Sequence, residues 1–243
     1  MTKDLEKAKQ NLPANKPTEE EINRLRALTG EQNVVTSTGG VPFMNFDGQP
    51  GKETSGKFFL PTGGQNEDGT REMSETGSTV QGVIVRIRKR LETPMNAKNH
   101  HRTPEFDDDN GVIQLLEDGE VILEGTKEEL QSHSPELKLK NVIYFYLNEK
   151  KAVYRLLVPG GSLMNLWDYL KEFSKENDTT LRWVTEIGGN KIKNKTGFEY
   201  FQMTFKRLEE AENWKEIAEE LSKLEEIIRK TAEEKEEEGK IKF

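Results

Sequence analysis

Four carboxylates fall within five positions of "TPEFDDDNG", at Glu105, Asp107, Asp108 and Asp109. Oxygen donors this dense are the type that holds Mg²⁺ in a nuclease. The spacing departs from a calcium loop, which places acids at alternate positions ahead of a Gly and closes on a Glu. An Asp/Asn/Gly run between strands ordinarily makes a solvated turn, so no metal is expected here. His100, His101 and His133 have no ligand spacing, and the chain contains no cysteine. Thiolate metal sites and a disulfide framework are therefore excluded. "VPGGSL" sets small residues before a helix, whose amides suit a phosphate. It lacks the Lys-Ser/Thr ending of a P-loop and reads as a turn leading to Ser162 as N-cap. No Ser-His-Asp set or nucleotide signature is visible, so the expectation is a protein that is not an enzyme and uses no cofactor.

The cations are more suggestive. "VIVRIRKRLE", beginning at Val83, alternates as a strand while carrying four basic side chains. Side chains alternate between the faces of a strand. With Val83, Val85 and Ile87 placed inward, Arg86, Arg88 and Arg90 project together. The same parity buries Ile143, Phe145 and Leu147 and turns Tyr144 and Tyr146 outward. It buries Tyr154, Leu156 and Val158 and frees Arg155. It buries Leu181, Trp183 and Ile187 and exposes Arg182 with Glu186. In the last strand it buries Phe201, Met203 and Phe205 and exposes Phe198, Tyr200 and Lys206. The loop "GGNKIKNKT" adds Lys191, Lys193 and Lys195. Cations that neutralise phosphates beside rings that stack on bases are what an unpaired nucleic-acid strand requires. Edge protection of the sheet is the plainer reading of the arginine strand by itself.

The elements that must position these residues follow from composition and period. Only 33% of the 243 residues are hydrophobic and 33% are charged, thin for one core spanning the whole length. Residues 1–78 read as a Gly-rich N-terminal arm. Its short helix spans 19–29, opened by a capping box of Thr18 and Glu21. Within the arm "VPFMNF" and "GKFFLP" have the pattern of short strands. Residues 79–207 read as a β domain. "NGVIQLLEDGEVILEG" turns at Asp118-Gly119, and "NVIYFYLNEKKAVYRLLV" turns through Asn148 to Lys151. "PGGSLMNLWDYLKEF" follows as a helix with Leu163, Leu166, Trp167, Leu170 and Phe173 at helical spacing. Two strands then close the domain. This order predicts a mainly β fold, an OB-fold-like five-stranded barrel with one capping helix, against an open α+β sheet as the alternative. In an OB-fold the loop holding Lys191, Lys193 and Lys195 would flank the ligand groove.

Residues 208–243 form a C-terminal amphipathic helix with an acidic tail. Trp214, Ile217, Leu221, Leu224 and Ile228 repeat at intervals of 3, 4, 3 and 4, an a/d seam. The seam predicts docking on the chain's own domain, with contact between copies as the alternative, and the oligomeric state stays open. This segment holds 13 Glu against seven Lys and Arg, which accounts for most of the formal net charge of −8. An acidic total is therefore compatible with an anion-binding face elsewhere. No apolar run reaches the roughly 20 residues that cross a bilayer, and "MTKDLEKAKQ" has no apolar export region. A cytoplasmic protein with no membrane partner is expected.

"YRLLVPGGSLMNLWDYL", preceded by "RTPEFDDD" and followed by "GFEYFQMTF", resembles a loose group of single-stranded DNA-binding proteins from phages and related mobile elements. The resemblance covers about Val80 to Phe205. It implies passive binding of single-stranded DNA, with RNA as the alternative, during DNA replication or recombination. The acidic end with its terminal Phe243 is similar to the tips by which such proteins recruit replication proteins, except that "GKIKF" is basic. The competing expectation is a virion or scaffold component that uses the C-terminal helix as its interface.

Overall fold

A strand as long as Thr79–Glu92 has more edge than one neighbour can cover, and the architecture follows from how that edge is shared. The computed structural model describes residues 41–65, 71–94, 97–219 and 221. In chain order its strands are β1 (Phe43–Phe46), β2 (Phe58–Gln65), β3 (Arg71–Gly77), β4 (Thr79–Glu92), β5 (His101–Arg102), β6 (Ile113–Glu117) and β7 (Glu120–Gly125). After helix α1 (Lys127–His133) come β8 (Lys138–Leu147) and β9 (Ala152–Val158). Helix α2 (Leu163–Glu176) and the closing hairpin β10 (Trp183–Lys193) and β11 (Glu199–Glu210) complete the series. Residues 214–219 are helical. Among the described residues no helix is long and apolar enough to cross a membrane.

All the strands join one sheet, in the order β3-β2-β1-β9-β8-β4-β5-β6-β7, with β10 and β11 branching from β4. One edge of β4 pairs with β8 from Gly82 to Glu92. Its other edge is divided between β10, along Thr79–Val83, and β5, at Glu92. The fold is mainly β, as expected, but the sheet is open and the five-stranded barrel is not formed. The divided edge of β4 sends the sheet in two directions, and the added strands leave β3, β7 and β11 as end strands whose outer edges no described strand pairs. The two arm segments are strands β1 and β2, and with β3 they extend the sheet beyond β9. The sheet therefore begins well before residue 79. The expected helix 19–29 lies outside the described residues.

Helix α2 covers one face. Leu166, Tyr169 and Phe173 pack there with Val80, Ile84, Ile143, Phe145, Leu156, Ile187 and Met203. Burying a side chain such as Phe145 contributes about 1.5–3 kcal/mol. The opposite face is covered too. Trp214, Ile217 and Leu221 lie with Val83, Val85, Val142, Tyr144, Tyr146 and Val184. The described part of the a/d seam is thus docked on its own sheet, while Leu224, Ile228 and the acidic tail lie outside the described residues. A third cluster joins Leu91, Phe106, Ile113, Leu115, Leu130 and Leu137 around α1.

A β-bulge corrects the face assignment of the first strand. The register against β8 shifts between Ile84, opposite Phe145, and Arg86, opposite Tyr144. Val85 is the extra residue, so Val85 and Arg86 turn to the same face. Val83 and Val85 consequently sit on the arginine face, while Ile84 and Ile87 line the α2 face. The simple alternation held for β8 and β9 and failed where the strand bends.

Candidate nucleic-acid interface

The β4 arginines are matched by acids from the next loop. The Arg86 guanidinium lies 2.9 Å from Asp107 and the Arg88 Nε lies 3.1 Å from the same carboxylate. Arg88 is fully buried and Arg86 nearly so. Arg155 pairs with Glu105 at 3.3 Å and donates to the Val41 carbonyl, and its guanidinium sits 4.2 Å from the centre of the Phe43 ring. The Tyr144 hydroxyl also donates to Glu105. Arg90 and Lys140 share Glu92, and Lys89 and Lys127 share Asp109. Burial pushes the Glu92 and Asp109 carboxyls up, but these cations outweigh it and hold both below the usual carboxylate range. Arg182 is buried between Asp178 and Glu210.

Five of the expected outward side chains are therefore covered: Arg86, Arg88, Tyr144, Tyr146 and Arg182. Arg90 and Arg155 are partly buried in ion pairs. The expectation of an open basic face fails for two physical reasons. The acidic run 105–109 lies along β4 as its counterion, and the C-terminal helix roofs the tyrosines. Among the described residues no group of three or more His, Cys, Asp or Glu side chains is placed to hold a metal ion.

The remaining candidates converge on the β10–β11 hairpin. Its tip is a three-residue loop with Gly197 at φ 85°, the left-handed position this loop demands. The Asn194 side-chain oxygen accepts from the amides of Thr196 and Phe198 and from the Thr196 hydroxyl, which stiffens the tip. The base is fixed at several points. The Phe201 amide donates to the Gly48 carbonyl at 3.0 Å, and the Met203 amide donates to the Ser162 hydroxyl at 2.9 Å. Ser162 thus spends its oxygen on β11, with no side-chain bond capping α2. Gly56 (φ 77°) lies against the Phe201 ring, where a β-carbon has no room.

Lys191, Lys193 and Lys195 are exposed along this projection, and Lys206 is exposed farther down β11. Glu199 is the one acid between Gly188 and Phe205. It lies 2.7 Å from the Lys191 ammonium and opposite Lys193 on the ladder. Hydrogen bonding and charge from Lys191, with Lys193 adding, hold its carboxyl below the usual range. On the other face of the hairpin Phe198 and Tyr200 are stacked, with centroids 6.5 Å apart and planes 19° apart. Phe198 is 60% exposed.

The turn that leads into helix α2 lies beside this pair. Tyr200 lies against Gly161, and Gln202 donates to the Gly161 carbonyl and to the Tyr200 hydroxyl. The helix then follows β11, through Asn165 to Met203, Tyr169 to Phe205 and Glu176 to Arg207. Its outer side presents Met164 and Trp167, at 56% and 42% exposure. Trp167 shares the helical spacing of Leu166, Leu170 and Phe173 but not their burial. At 100° per residue it stands a quarter turn from Leu166, off the stripe that Leu166, Tyr169, Leu170 and Phe173 bury. That offset was the available signal. No protein-family model, curated protein or solved structure matches this chain.

Proposed function

We propose that this chain is a non-enzymatic binder of single-stranded nucleic acid, DNA in the first instance, serving replication or recombination. It binds through the β10–β11 hairpin and the outer side of α2, and not through β4. The observation that carries this reading is the Phe198–Tyr200 stack, with Phe198 exposed, at the outer end of a hairpin whose residues 188–205 hold three lysines and a single acid. Lysines draw a phosphate backbone without regard to sequence. Exposed rings add stacking that only unpaired bases can reach, about 1–3 kcal/mol per base. A duplex keeps its bases stacked internally and gives Phe198 nothing to cover.

Titration with fluorescent oligo-dT at two salt concentrations tests the reading. Affinity should fall steeply with salt, by roughly 0.7 log units per log unit of salt for each neutralised phosphate. Duplex of equal length should bind more weakly. Absence of oligo-dT binding at low salt with micromolar protein would retire the proposal.

A further inference from the structure

Strand β4 carries the sheet away from the lysine hairpin. It pairs with β10 along Thr79–Val83 and with β5 at Glu92, and at about 3.3 Å per residue these ends lie on the order of 40 Å apart. At the far end Glu92 stands opposite Arg102 of β5 and, on its other side, opposite Lys138 of β8. Residues opposed across a ladder share a face, so the three side chains form one row. Two residues back on the same face Arg90 stands opposite Lys140, and both donate to Glu92. That carboxylate is thereby spent. Arg102 and Lys138 are exposed, and no described carboxylate forms an ion pair with either. Residues 93–104, which lead past β5, hold no Asp or Glu, and Lys98 among them is exposed. Glu136 precedes Lys138 in the turn before β8. Glu117 stands opposite His101 and Glu120, one position out of step with Arg102 and so on the other face. Among the described residues the exposed rings, Trp167 and Phe198, lie on α2 and the hairpin, and none accompanies this row.

We infer that Arg102, Lys138 and Lys98 form a second nucleic-acid surface, one that takes a duplex by its phosphates. Cations neutralise phosphates without regard to sequence, and backbone contacts position a nucleic acid without reading its bases. A surface with no exposed ring gives unpaired bases nothing to stack on, so it loses nothing when the bases are paired. It gains from charge density, because a duplex carries one negative charge per about 1.7 Å of axis, against about 3.4 Å for each strand. The hairpin has the opposite preference, since its rings reach only unpaired bases. The two surfaces use different residues, and neither assignment depends on the other.

The test measures fluorescence anisotropy of a blunt DNA duplex and of oligo-dT, each titrated with the full chain at low and moderate salt. Arg102→Gln with Lys138→Gln should weaken duplex binding at least fivefold. It should flatten the duplex salt slope by up to about 1.8, at roughly 0.9 for each lost phosphate contact. Oligo-dT affinity should stay within twofold of wild type. Arg102→Lys with Lys138→Arg keeps the charge and should hold duplex as the wild type does, which separates lost charge from any change of fold. Duplex binding that is absent at low salt, or that the Gln variant retains, overturns the inference even where oligo-dT binds. Tighter binding of poly-glutamate of matched charge than of duplex overturns it as well, giving the surface to an acidic protein. Duplex binding that depends on these two residues, in a chain that does not bind oligo-dT, would uphold this surface and remove the hairpin reading.

Discussion

Two groups of cations in this protein have the same charge and opposite fates. On β4, Arg86 and Arg88 lie under the sheet's outer layer and share Asp107, at 2.9 and 3.1 Å. On the β10–β11 hairpin, Lys191, Lys193 and Lys195 stand exposed with only Glu199 among them. The residue types fit this division. A guanidinium is planar, weakly hydrated and able to fork onto a carboxylate, so it tolerates burial in an ion pair. An ammonium is a strongly hydrated point charge and stays in water. A basic stretch is a candidate for an external anion only after the chain's own acids have been assigned.

The largest expected effect breaks the first group. Removing one partner of a buried ion pair leaves an uncompensated charge and costs about 3–5 kcal/mol. Asp107→Asn should therefore lower the urea midpoint sharply, because it faces two buried arginines at once. Lys193→Gln, at the exposed tip, should change stability by less than about 0.5 kcal/mol. Equal midpoints for the two variants would mean that the β4 arginines are not held by Asp107. Tyr144→Phe, which removes the donor to Glu105, should lower stability and leave nucleic-acid binding unchanged.

Next in size is the aromatic pair. Phe198→Ala and Tyr200→Ala should each weaken oligo-dT binding by about 1–3 kcal/mol, without changing the salt slope. Trp167→Ala should show its loss with longer oligonucleotides, because Trp167 lies farther along α2 from the tip. Wild-type affinity in all three variants would place the binding surface elsewhere.

Much of this architecture was legible in the sequence, for identifiable reasons. The strict alternation of "NVIYFYL" placed Ile143, Phe145 and Leu147 on the α2 face. Asp118-Gly119 gave its hairpin because both residues accept positive φ. Docking of the C-terminal segment on its own sheet through Trp214, Ile217 and Leu221 agrees with a seam of little more than two heptads flanked by Glu, which is too short and too acidic to pair well with a copy, although its narrow stripe by itself suits helix–helix contact. What failed were long-range facts. Period alone does not register a bulge, so Val83 and Val85 were set on the wrong side. Parity says which side chains leave the core but not whether a later element covers them, and the C-terminal helix covers Tyr144 and Tyr146. The pairing of "RIRKR" with "EFDDD" was readable in principle, since both charge runs stand in one domain with only residues 91–104 between them. Closure was not readable, because it depends on how the two edges of β4 are shared.

Charge on the hairpin can be tested through salt alone. Changing Lys191, Lys193 and Lys195 together to Gln should flatten the log–log salt dependence by up to about two units, at roughly 0.7 for each lost phosphate contact. The same substitution at Arg86, Arg88 and Arg90 should destabilise the fold. Any folded fraction should keep the wild-type slope. An unchanged slope in the lysine variant would leave the hairpin without an electrostatic role.

The smallest effect concerns Glu199. Its carboxylate holds Lys191 at 2.7 Å and so withholds that lysine from an incoming phosphate. Glu199→Gln should release it, tightening oligo-dT binding modestly and steepening the salt slope by no more than about 0.7. The pH dependence follows from the direction of its shift. Hydrogen bonding and charge from Lys191 hold the carboxyl below its ordinary value. Glu199 is therefore ionised throughout the neutral range, and the difference between wild type and variant should be constant there. Only on acidification through the lowered pKa does the wild-type carboxyl take up a proton and free Lys191, so the two curves should converge at the acid end. Convergence already near neutral pH would mean that Lys191 does not hold Glu199 in solution, and with it the contrast between Lys191, bonded to Glu199, and the other lysines of this hairpin would go.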